Sequence, residues 1–119
     1  MSKAAPTTVG LFDADPGELA RKQLELAGRP GVDVRIAAGT LGQLLTDPEF
    51  PTEVVIMEQR PGERVSIDYK IRVCRLADAR VIVVSNGREA LARDVGLLMT
   101  PVNSFTEAIA LITDPPAPA

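Results

Sequence analysis

The side chains in this chain that could do chemistry are mainly carboxylates and hydroxyls, and they recur at one kind of place. Asp13 and Asp15 follow the apolar run over residues 8–12, Glu58 closes the run 54–57, Ser85 follows 81–84, and Thr100 follows 96–99. A short apolar run that ends in a polar residue is the pattern of a strand buried on both faces, with its end reaching solvent. Glu58 reads as a strand-end carboxylate able to pair with Arg60 or Lys70, and Asp15, standing before Pro16, as a helix N-cap. Ser85, Asn86 and Asn103 could hold a neutral ligand by hydrogen bonds. With no histidine and the single cysteine Cys74, the chain cannot build Ser-His or Cys-His nucleophiles, multi-cysteine metal centres or an internal disulfide.

Five strand signals position these residues. Residues 8–13 form the first strand, and a helix follows from the Asp15 cap with Leu19, Ala20, Leu24, Leu26 and Ala27 as its apolar stripe, ended by Gly28 and Gly31. Val32, Val34 and Ile36 alternate with Asp33 and Arg35, the pattern of an edge strand with one buried face. A short helix over 40–45 is broken by the prolines of 47–51, and the strand 54–57 runs into a turn at 59–62. A helix over 68–77 carries Ile71, Cys74 and Leu76, and then come the strand 81–84, a helix over 87–95, a strand over 96–99, and a helix over 106–113 with Ala108, Ile109, Leu111 and Ile112 inward.

Strands alternating with helices predict an α/β fold: a five-stranded parallel sheet with helices on both faces and right-handed crossovers, a flavodoxin-like three-layer sandwich. In such sheets functional groups gather at the C-terminal edge of the strands, where Asp13, Asp15, Glu58, Ser85 and Thr100 are expected. At 119 residues, 45% hydrophobic and 24% charged, the chain suits one globular domain over 1–113, with 114–119 a Pro/Ala-rich linker or chain end. A net charge of -3 gives no general attraction for phosphate backbones, so no direct nucleic-acid binding is expected. No apolar run suits a membrane span and the first residues lack the apolar centre of a signal peptide, which predicts a cytoplasmic protein without membrane contact.

The order of these landmarks resembles the receiver domain of two-component response regulators (CheY-like) over residues 8–113. LFDADP is similar to the family's acidic first loop, EVVIMEQRPG to the strand ending in the phosphorylated aspartate, VIVVSN to the strand ending in a hydroxyl residue, and MTPVN to the lysine-proline turn. The resemblance implies a magnesium site at two acidic residues and the acceptor carboxylate, with a hydroxyl and a lysine around the phosphoryl group. The chain departs from that set. Asp13 matches the first acidic position, which makes it the weak candidate for a metal ligand, but Ala14 takes the second and Asp15 is the remaining acidic neighbour; Glu58 stands at the acceptor position, or Met57 in an alternative register, with no aspartate there in either, and Ser85 stands at the hydroxyl, Thr100 at the lysine and Leu97 at the switch aromatic. Magnesium binding is therefore expected to be weak or absent, with no cofactor.

The resemblance thus implies an atypical receiver (pseudo-receiver). It would be a phosphorylation-independent, non-enzymatic regulatory and dimerisation module of a LuxR/NarL- or OmpR-type transcriptional regulator whose DNA-binding domain lies beyond this chain. Dimerisation is expected through the helix 87–95, the strand 96–99 and the last helix, with Arg88, Glu89, Arg93, Asp94 and Glu107 as candidate pairing residues. Two alternatives stand beside it: a phosphorylatable receiver with Glu58 or Asp13 as acceptor, and a small-molecule-sensing domain.

Overall fold

Among the described residues, local chemistry sets the start of each helix. In the computed structural model, which describes residues 5–85 and 96–113, β1 (Thr7–Asp13) is followed by α1 (Pro16–Leu26). The Asp15 carboxylate accepts the Glu18 N–H at 3.0 Å, and Pro16 takes a first-turn position where a missing N–H costs nothing. Thr40 caps α2 (Leu41–Thr46) through the Gln43 N–H, and Ser66 caps α3 (Ile67–Leu76) through the Tyr69 N–H. Ser104 accepts the Glu107 N–H at the start of α4 (Phe105–Thr113), and the Glu107 carboxylate in return accepts the Asn103 N–H.

β1 and the strands β2 (Val32–Ala38), β3 (Val54–Glu58), β4 (Arg80–Val84) and β5 (Met99–Val102) form one all-parallel sheet in the order β2-β1-β3-β4-β5. Alternate residues of the central strands fill two separate cores. Phe12, Val55, Met57, Val81 and Val83 pack with Leu44 of α2 and Ile67, Ile71 and Cys74 of α3. Val9, Leu11, Val54, Ile56, Ile82 and Val84 pack with Leu26 of α1 and Phe105, Ala108 and Ile109 of α4. Helices therefore cover both faces of the parallel sheet, as the alternation of strand and helix signals required.

Several expectations are corrected. The last strand lies at Met99–Val102, three residues later than the expected 96–99, and contains Pro101. Among the described residues β5 pairs only with β4, and an edge strand accommodates a residue without an N–H. In β2 the pairing steps from Val9↔Val34 to Gly10↔Ile36, so Arg35 is left out as a β-bulge. Val32 and Val34 consequently pack with the α1 core and Ile36 with the other, rather than all three sharing one face. Leu24 is 77% exposed and Leu76 86% exposed, Ala20 and Ala27 are also exposed, and Leu111 is at the surface, so the expected stripes of three helices contained residues that face solvent. The buried places in α1 and α3 are shared by two lysines, Lys22 and Lys70. The helix expected at 87–95 and the segment 114–119 lie outside the described residues. Among the described residues no helix is long and apolar enough to cross a membrane.

Candidate functional site: a carboxylate pair closed by two internal cations

Sheet register brings Asp13 and Glu58 together. They are direct neighbours at the ends of β1 and β3, and the same row continues through Val84 to Val102. Asp13 is fully buried, whereas a quarter of the Glu58 side chain is exposed. Two cations bridge them. Lys22 Nζ lies 2.7 Å from Asp13 Oδ2 and 2.8 Å from Glu58 Oε1. Arg60 donates Nε to Asp13 Oδ1 at 2.9 Å and Nη2 to Oδ2 at 2.6 Å, a two-pronged contact, while its Nη1 lies 3.1 Å from Glu58 Oε2. The Asp15 N–H adds a bond to Asp13 Oδ1 at 2.9 Å.

Each cation is positioned by a different device. Lys22 follows Leu19 by three positions and precedes Leu26 by four, so the α1 turn places its stem within the buried stripe and its ammonium at the strand ends, 5.5 Å from the centre of the Phe105 ring. Arg60 rides on the turn 60–63, where Pro61 and Gly62 (φ 85°) supply the second and third positions of a type II turn closed by the Glu63 N–H on the Arg60 carbonyl. That turn is pinned in turn by Lys70. Its ammonium, buried in the α3 stripe, donates to Gln59 Oε1 at 2.8 Å, pairs with Glu63 and sits 4.6 Å from the centre of the Phe12 ring. Glu63 Oε2 also accepts the Arg60 N–H at 2.6 Å.

Burial alone would push the Asp13 carboxyl up, but hydrogen bonds from Arg60, Lys22 and the Asp15 N–H outweigh it and bring the group from 3.8 down to about 2. The hydrogen bond to Asp13 likewise outweighs burial at Arg60 and holds its guanidinium above its ordinary value. The sign for stability follows. A carboxyl whose folded value lies below its unfolded one stabilises the fold above about pH 4, and that contribution is lost as the pH falls through 2. A shift of this size corresponds to about 2 kcal/mol. Denaturant titrations at pH 5 and pH 2.5 should show Asp13→Asn removing part of the acid sensitivity; identical acid profiles for variant and parent would refute the assignment.

This geometry limits the site's chemistry. Each Glu58 oxygen faces a cation, which weakens the carboxylate as a nucleophile, and a divalent cation at Asp13 would have to compete with Lys22 and Arg60 for its oxygens. Among the described residues no group of three or more His, Cys, Asp or Glu stands close enough to hold a metal ion. Cys74 is no alternative nucleophile: it is buried, and that burial pushes its thiol up to about 11.

The expected site residues are distributed unevenly. Asp13 and Glu58 form the centre, and Asp15 contributes its N–H while its exposed carboxylate caps α1. Ser85, just past β4, donates its N–H to the Val102 carbonyl at 2.8 Å. Thr100 pairs with Ile82, two residues before the row that holds Asp13 and Glu58, roughly 6–7 Å along the strand. It is therefore not at the strand end, a correction that follows from the later placement of β5. Leu97 is exposed ahead of β5, and Asn103 bonds Glu107. Asn86, Arg88, Glu89, Arg93 and Asp94 lie outside the described residues. Sequence reasoning gave Arg60 only as a partner of Glu58 and missed Lys22; the available signal was a lysine at a helical position between Leu19 and Leu26.

No family model, curated protein or solved structure matches this chain.

Proposed function

We propose that this chain is an atypical receiver of flavodoxin-like, CheY-like fold whose acceptor site is neutralised by its own side chains. It acts without phosphoryl transfer and without magnesium, as a regulatory module in a cytoplasmic transcriptional regulator whose DNA-binding part is a separate domain. The strand order 2-1-3-4-5 supports the fold reading, since in flavodoxin-like sheets the switch point lies between β1 and β3, where Asp13 and Glu58 meet. The observation that carries the functional reading is the double bridge from Lys22 and Arg60. Phosphorylation adds a charge of about -1.5 to -2 that unengaged cations or a metal must answer. Here both cations already answer two carboxylates.

The test is a titration with magnesium and then beryllofluoride, followed by NMR at the Asp13, Glu58 and Ser85 amides. The expected result is no saturable shift with either reagent. Saturable shifts with both would show a working acceptor site and overturn the reading.

A further inference from the structure

We propose that the outer face of α1 is a docking surface for a second copy of this chain, with the two α1 helices antiparallel about a two-fold axis near Leu24. Two features of one helix point there. Leu24 is 77% exposed and rises beside a shallow, mainly apolar groove between α1 and β2, walled by Ala20, Ala27, Val32 and Val34. Glu18, Arg21 and Glu25 run down the flank of α1 away from that groove at spacings of three and four residues, which places them on one side of the helix, and Arg29, past the helix end, turns its guanidinium back toward Glu25. Within the chain Arg21 pairs with Glu18 at 2.8 Å and with Glu25, and Arg29 donates to the Glu25 carbonyl at 3.0 Å.

The charges on this flank read minus, plus, minus, plus. Reversing that order by an antiparallel two-fold sets Glu18 against Arg29 of the partner subunit and Arg21 against Glu25 of the partner subunit, and each contact occurs twice. The ladder is thus its own complement only when a reversed copy lies beside it, and this commits the face to an identical chain. The same operation places the two Leu24 side chains together over their grooves, which removes both from water. Strand addition at the adjacent sheet edge is a poorer route, because the bulge at Arg35 and the Arg35 pairs with Asp33 and Glu49 interrupt the β2 edge.

Sedimentation equilibrium of the full chain tests the proposal. The parent should show a concentration-dependent monomer–dimer equilibrium, and Leu24→Asp should weaken it about tenfold or more. Arg21→Glu and Glu25→Arg should each weaken the homodimer, since each sets like charges against each other across the axis. An equimolar mixture of those two variants should recover a dimer, because one chain then carries two carboxylates and the other two guanidiniums at these positions. A role confined to pairing within one helix would give no recovery on mixing, and that outcome would refute the docking face. A parent that stays monomeric up to about 1 mM would overturn it. So would a dimer that Leu24→Asp leaves unchanged, which would move the second copy to the face of β5 and α4.

Discussion

Replacing Lys22 by alanine should lower the unfolding free energy by about 3–5 kcal/mol, the usual cost of removing one member of a buried ion pair. The reason is the position of Asp13. Its carboxylate is fully buried, and loss of the ammonium leaves it with Arg60, whose side chain is a quarter exposed, while Glu58 loses one of its two cations. For a domain of this size the change should appear as a fall in the thermal midpoint of well over 10 °C. Adding Asp13→Asn to Lys22→Ala should recover part of the loss, because the unpaired charge is then removed along with its partner. Denaturant unfolding of the four members of this cycle measures the coupling. If the double variant were as unstable as the sum of the two single ones, Lys22 and Asp13 would not act as a pair.

Lys70→Ala should be nearly as damaging, roughly 2–5 kcal/mol, since it empties a fully buried long side chain and strands the Glu63 carboxylate, which is only slightly exposed. Its effect should also be local. Lys70 holds Gln59 and Glu63 on either side of Arg60, so hydrogen exchange of the amides over residues 60–65 should quicken more than that of β4. Lys70→Met keeps most of the buried stem and should cost less than Lys70→Ala. Unchanged exchange in the loop after either substitution would mean that Lys70 fills space without pinning the turn.

Much of this architecture is legible in the sequence. The central strands announce themselves because they are buried on both faces and so read as unbroken apolar runs, and Asp15 with Pro16 marks the start of α1 by a purely local bond. What escapes is whatever depends on a distant partner. Lys22 and Lys70 interrupt apolar stripes, and nothing local reveals that the Lys22 ammonium meets two carboxylates at strand ends, or that Lys70 meets Glu63 of the following turn and not the expected Glu58. The β2 alternation suggests a single buried face, yet the extra residue at Arg35 changes the face halfway along the strand; only pairing with β1 discloses it. The edge strand β5 is misplaced for a related reason: a proline argues against a strand unless the strand is known to have one free side. Asp13 and Glu58 could be put at one edge from sequence, but their enclosure by Lys22 and Arg60 belongs to tertiary packing.

The paired charges at the strand ends also determine how the site looks from a distance. Two carboxylates and two cations within hydrogen-bonding reach sum to zero, and their field dies away over distance faster than that of a lone charge. An exposed acidic pocket would draw cations toward it through solvent and set an encounter rate that falls with salt. This one broadcasts almost nothing. The four-charge cluster should therefore add little to the long-range steering of ions, so whatever recognises it must do so at contact range, by shape and hydrogen bonding.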